Sequence, residues 1–211
     1  MSPDQERDLL ERCQVVGSQD FEEAFGAIYR KYKDRVYSLA YRITGSHTDA
    51  LDAAQEAFVL LYQYISSFQF DSKFSSWLYR LVVNASIDHL RRTKSRRRKA
   101  ELPLDASGDA LALRDDSVDD PSDAAGRSEM ADRIQACIQR LSPKLRVVTV
   151  LRYQQNQSYE EIAETLGISL GTVKSRLSRA HLALGEILRP ILERAEHGPA
   201  GSREERQEES A

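Results

Sequence analysis

The chain has 211 residues, 41% of them hydrophobic and 30% charged, with a net charge of −3; this is a soluble, globular composition with room for one or two domains. No apolar run approaches the roughly 18 residues that a membrane span needs, and the start, MSPDQERDLLERC, is charged and lacks the apolar core of an export signal, so a cytoplasmic protein is expected. Cys13 and Cys137 belong to no CxxC pair or Cys/His cluster, which argues against a zinc site and a disulfide framework; no cofactor is expected.

The small net charge hides a pattern. Residues 1–99 hold 16 basic and 13 acidic side chains, residues 100–129 hold two and nine, and residues 130–211 hold 12 and 11. An acidic segment thus separates two blocks with local basic patches. Residues 1–19 read as an N-terminal extension. The first block, 20–98, is helical throughout, with few Gly or Pro and apolar stripes at helical spacing. Its first helix runs from about Asp20 to Ile43 and breaks at Thr44-Gly45-Ser46; its second runs from about Thr48 to Ile65. A polar and aromatic loop, Ser66-Ser67-Phe68-Gln69-Phe70-Asp71-Ser72, leads to a third helix from about Phe74 into the Arg/Lys run near Arg98.

The second helix points Leu51, Ala54, Phe58, Leu61 and Ile65 inward and carries Asp49, Asp52, Glu56 and Gln63 on its other side, with Gln55 beside them. An acidic face repels phosphate, so it meets either a basic protein or only water. The third helix aligns Arg80, Asn84 and Arg91 on one stripe and ends in a strongly basic run. Aromatic residues beside cations suit unstacked single-stranded bases. Phe68 and Phe70 are placed for that; Trp77 and Tyr79 could join them, although a tryptophan at a helix start is more often core.

Residues 99–128, Asp-rich and interrupted by Pro103, Gly108, Pro121 and Gly126, read as a flexible acidic linker. The second block, 129–188, is again helical. Ser142-Pro143 offers an N-cap followed by proline at the first helical position, and Ser158-Tyr159-Glu160-Glu161 a capping box. Gly167 suits the left-handed residue that ends a helix, and Ser169 can cap the next one. The result is helix, three-residue turn, helix over 158–180. Ile162, Ala163 and Leu166 form the apolar face of the first helix, and Val173, Leu177 and Ala180 that of the second. The outer face of the second carries Gly171, Thr172, Ser175, Ser178 and Arg179, flanked by Lys174 and Arg176, with no acid between Ser169 and His181. Such a helix fits the major groove, where arginine pairs with guanine edges and serine or lysine reaches bases or phosphates. Residues 189–211 read as a charged, disordered tail. The whole is an all-α fold: two small helical domains joined by the linker.

These motifs resemble a known family, the extracytoplasmic-function (ECF) sigma factors of bacterial RNA polymerase. Asp49-Ala50-Leu51-Asp52-Ala53-Ala54-Gln55-Glu56-Ala57-Phe58 is similar to their polymerase-binding helix, DAEDxxQExF. Phe74-Ser75-Ser76-Trp77-Leu78-Tyr79-Arg80, with Asn84, Asp88, Arg91 and Arg92, is similar to their promoter-opening helix, FxxWLYRxxxNxxxDxxRR. Leu141-Ser142-Pro143, Ser158 to Ala163 and Gly171 to Leu177 resemble the pattern LPxxxR followed by SYEEIAxxLGxSxGTVKSRLxRA. Together the matches span about 20–98 and 129–184.

The resemblance implies a promoter-specificity subunit that binds core polymerase, reads the −35 and −10 elements and helps open the DNA. Asp49, Asp52, Gln55 and Glu56 would dock on the clamp helices of the largest polymerase subunit, with the flap as a second contact. Phe68, Phe70, Asp71 and Phe74, with Asn84, would capture a base flipped from the −10 element, and Arg80, Arg91 and Arg92 would hold nearby phosphates. Ser169, Thr172, Lys174, Ser175, Arg176, Ser178 and Arg179 would read the −35 element. An anti-sigma protein is implied as a further partner. Asp115, Asp116, Asp119, Asp120 and Asp123 of the linker would mimic RNA phosphates in the exit path. Three features depart from the pattern: Leu51 replaces a common acid, Phe70 stands where glycine is frequent, and the tail after Pro190 is longer than usual. The competing readings are a free-standing helix-turn-helix regulator, which would leave the first block unexplained, and a nucleic-acid enzyme, for which no metal cluster, phosphate loop or nucleophile–base motif is present.

Overall fold

Serine starts most of the helices. In a computed structural model describing residues 2–15, 17–100 and 125–196, the hydroxyls of Ser2, Ser18, Ser46, Ser158 and Ser169 each accept the backbone N–H three residues on. Each bond satisfies a first-turn donor that the helix cannot pair internally. The described residues contain helices α1 (Pro3–Arg12), α2 (Gln19–Thr44), α3 (His47–Tyr64), α4 (Phe74–Ala100), α5 (Ala125–Gln139), α6 (Pro143–Tyr153), α7 (Tyr159–Leu166) and α8 (Leu170–Glu196), and no strand.

Helices α2, α3 and α4 form a three-helix bundle. Phe21, Ile28, Val36, Leu39 and Ile43 of α2 meet Ala50, Ala53, Ala57 and Leu61 of α3 and Leu78, Val82 and Ala85 of α4 in a dry core. The alanine face of α3 lets it lie close against its neighbours, and dense packing supplies the dispersion that small side chains lack singly. Gly45 ends α2 in the left-handed conformation, φ 76°, at a point where a Cβ would meet the Gln139 side chain at 2.5 Å; glycine is needed twice over there.

The N-terminal extension is not a separate tail. Ser2 and Gln5 form a capping box for α1, which packs on α2, and Lys31 and Tyr32 both donate to Glu6. Leu10 and Cys13 are buried there, and burial pushes the Cys13 thiol up to about 11, which keeps it protonated and unreactive. At the other end α8 continues through Pro190 to Glu196, so the expected tail begins with a helical segment. The flexible-linker reading of 99–128 falls for residues 101–124 outside the described residues, whereas residues 99 and 100 close α4 and residues 125–128 open α5. Ser142 stands at the N-cap of α6, yet its side chain makes no cap bond.

The second unit, α5–α8, packs α6 and α7 against α8 around Val147, Val150, Leu151, Ile162, Val173 and Leu177. It rests on the first through α7 on α4 and through α5 and α6 on α2. Two arginines hold this interface in reciprocal fashion. Arg146 of α6, 8% exposed, donates from Nη1 to the Ile43 carbonyl of α2 at 2.6 Å and from Nη2 to the carbonyls of Gln139 and Leu141. Arg80 of α4 donates to the carbonyls of Glu164 and Thr165, at the end of α7, with Nε 3.0 Å from the Thr165 oxygen. A cation at a helix C-terminus meets the unpaired carbonyls and the negative end of the dipole. Gln135 and Gln139 add bonds to the Arg42 carbonyl at 3.1 and 2.8 Å.

Candidate promoter and polymerase interfaces

The acidic stripe of α3 is exposed in part. Asp52 and Gln55 face solvent, whereas Asp49 and Glu56 are half-buried. Asp49 Oδ1 lies 3.0 Å from His89 Nε2 of α4, and Arg92 Nη2 reaches both oxygens of Glu56, at 2.9 and 2.7 Å. A residue proposed for polymerase and one proposed for DNA therefore hold each other. Leu51 does not point inward as its spacing suggested: it is 50% exposed, because the buried stripe of α3 runs through Ala50, Ala53, Ala57 and Leu61. Val59, also 50% exposed, and Tyr62 extend an apolar strip beside the acids.

The aromatic loop divides into a floor and a rim. Phe68 and Phe74 are each 5% exposed; their rings are 5.5 Å apart and each contacts Trp77. As placed, they support the loop and offer no free face to a base. Phe70 and Asp71 form the rim, half-buried and exposed respectively. Phe70 has φ 58°, a conformation that costs an L-residue about 1–2 kcal/mol and glycine almost nothing; this is the physical reason glycine suits the position. Its ring sits 5.1 Å from that of Phe68, and the Arg7 guanidinium lies over it at 5.5 Å. Asn84 and Arg91 are exposed, with Arg91 3.1 Å from Asp88. Arg80, exposed overall, spends its donors on α7.

The outer face of the helix-turn-helix is less committed. Gly167 closes α7 with φ 61°, and Gly167-Ile168-Ser169 is the three-residue turn. Ser169 Oγ accepts from the Thr172 amide at 3.1 Å and lies 2.8 Å from the Thr172 hydroxyl, so both residues build the start of α8. Lys174, Ser175, Ser178 and Arg179 are exposed and Arg176 is half-buried. Ser175 and Arg179 bond only to carbonyls of their own helix. Val173, Leu177 and Ala180 are buried as the helical period requires.

Several residues that shape these faces were not legible as such. His89 and Arg7 reach partners 40 and 63 positions away in sequence, which no local pattern reports. Arg146 falls at the arginine of the LPxxxR pattern, but its spacing gave no hint that it caps a helix of the other unit.

A helical bundle with an acidic face, joined to a helix-turn-helix with an uncommitted basic face, defines a two-domain DNA-binding protein that also has a protein-docking surface. The family models Sigma-70 region 2 and Sigma-70 region 4 match residues 28–96 and 131–184. The ECF RNA polymerase sigma factor SigW of Bacillus subtilis is 40% identical over 189 residues, spanning 87% of this chain and 98% of that protein. The ECF RNA polymerase sigma-E factor of Escherichia coli K12 is 34% identical over 193 residues, spanning 88% and 95%. Among solved structures, CnrH in complex with the cytosolic domain of CnrY is similar at TM-score 0.62 and 25% identity, covering 89% of this chain and 99% of that one. The chain belongs to the ECF sigma factors. It is a promoter-specificity subunit of bacterial RNA polymerase, with core enzyme and promoter DNA as its partners. The free-standing regulator is set aside, since both blocks match sigma regions.

Proposed function

We propose that the residues act as follows. Asp52 and Gln55 make the first contact with the polymerase clamp, and Asp49 and Glu56 join as His89 and Arg92 release them. Phe70, Asp71 and Asn84 line the capture site for an unpaired −10 base, on the floor made by Phe68 and Phe74. Arg80, Arg91 and Arg92 hold phosphates beside it. Arg176 and Arg179 pair with base edges of the −35 element; Lys174, Ser175 and Ser178 reach phosphates and edges; Ser169 and Thr172 set the helix start. The protein supplies binding and strand capture without catalysis, in the cytoplasm. An anti-sigma protein masks it, and the exposed strip of Leu51, Val59 and Tyr62 is the kind of apolar surface that needs cover.

The observation that carries this reading is the outer face of α8 over residues 171–180, cationic and without an acid, where Ser175 and Arg179 bond to carbonyls of their own helix. The closed arrangement adds a requirement. The −35 and −10 elements are named for positions 25 apart, roughly 85 Å along a duplex at about 3.4 Å per step. An eight-residue helix such as α7 is only about 12 Å long, and it bridges α4 to α8, so the units separate before both elements are held at once.

The test is transcription in vitro with core polymerase and a promoter library. Wild type should select a paired −35 and −10 motif. Arg176→Ala/Arg179→Ala should abolish −35 dependence, and Asn84→Ala should impair opening with −35 selection intact. If core polymerase gains no specificity while the protein alone binds duplex DNA, the reading is wrong.

A further inference from the structure

The N-terminal helix brings a cation onto the −10 loop. Arg7 of α1 stands over the Phe70 ring, its guanidinium carbon 5.5 Å from the centroid. The residue is not absorbed by the fold: its side chain is 69% exposed, and among the described residues its hydrogen bond is from Nε to Glu11 Oε1 at 2.9 Å. That bond uses Nε, and Nη1 and Nη2 make no hydrogen bond among the described residues. The strained backbone at Phe70, φ 58°, fixes the other half of the pair. Gln14, just beyond α1, reaches the carbonyls of Ile65 and Phe68 at 3.5 Å, so the same segment braces the loop at two points.

We propose that Arg7 is a specificity-determining residue of the −10 site, presenting its guanidinium to the edge of an unpaired base that stacks on the Phe70 ring. The inference rests on the reading of the 66–74 loop as the −10 capture site. Unpaired bases stack on aromatic rings. Phe70 alone would hold any base, because every base has a π-face. The fork of Arg7 adds discrimination: two parallel N–H donors favour a base with two acceptors on one edge, as in the O6 and N7 of guanine. Glycine at position 70 would offer neither the ring nor a seat for the arginine, so this chain's departure from the family pattern and the placement of Arg7 act together.

The experiment is transcription with core polymerase on promoters randomised across the −10 element, with the −35 element held constant, for wild type, Arg7→Ala, Arg7→Lys and Phe70→Gly. Thermal melts check folding, which the exposure of Arg7 protects. Arg7→Ala should change base preference at one −10 position by about 5- to 150-fold, the range of a bidentate contact, with preference at the other positions and at the −35 element unchanged. Arg7→Lys keeps the charge but not the fork and should shift the same position. Phe70→Gly should alter that position too. If Arg7→Ala and Arg7→Lys leave every −10 preference within twofold while Asn84→Ala still disrupts the −10 element, Arg7 has no such role. If Asn84→Ala and Phe70→Gly are also without effect, the loop reading itself fails.

Discussion

The two helices proposed to face DNA, α4 and α8, differ in what their polar groups are doing. On the first turns of α8, Ser175 and Arg179 bond to carbonyls of their own helix, and Lys174 and Ser178 are exposed. On α4, two cations are engaged with other helices: Arg80 with α7 carbonyls and Arg92 with Glu56 of α3. The difference follows from the tasks. Duplex DNA presents its edges in a fixed groove and rewards a preformed helix. A base that must leave its stack costs a few kcal/mol to extract, and the proposed exchange of internal partners for DNA contacts would contribute to offsetting it.

The largest expected effect breaks the comparison at its shared base, the interface between the units. Arg146 is buried, burial lowers its pKa from the ordinary guanidinium value, and its Nε has no described partner. It still holds three carbonyls across both units. Arg146→Ala should lower stability by about 3 kcal/mol, measured by urea denaturation of the full chain; a loss under about 1 kcal/mol would mean that water replaces the guanidinium.

A smaller effect is expected at Arg80, where the bonds are more exposed. Arg80→Ala should cost about 1 kcal/mol and should also enlarge the radius of gyration in solution scattering as the units part. If scattering is unchanged, α7 is held to α4 by packing alone.

The smallest concerns Lys73 and Glu161, 2.6 Å apart across the same interface. The Lys73 bond, then the Ser158 amide, hold the Glu161 carboxyl below its usual value. A depressed carboxylate stabilises fully above its unfolded pKa of 4.5 and less as pH falls through the folded value. Solvent screening at this exposed pair keeps the gain small. Glu161→Gln keeps a cap acceptor and loses the charge, so its stability should fall less than that of wild type between pH 5 and pH 3 in thermal melts, with no difference overturning the role of the pair.

Local chemistry made much of this protein legible. The caps at Ser158 and Ser169, the glycines at 45 and 167, the stripe of Val173, Leu177 and Ala180, and the motifs of α3, α4 and α8 are all patterns within a few turns of helix, and short-range hydrogen bonding and the 3.6-residue period write them directly into the chain. The N-terminal helix was missed although Ser2-Pro3 with Gln5 is itself a cap signature; its brevity hid it, since ten residues are marginal as a helix until packed. Leu51 turned outward because on a helix whose contact face is alanine, the large residue at its edge has nowhere to go inward. Tertiary structure alone decided which cations are engaged. Arg7 over Phe70, Arg80 on α7, Arg92 on Glu56 and Arg146 on α2 are long side chains meeting groups far away in sequence, and only the packing of whole helices brings such partners within reach.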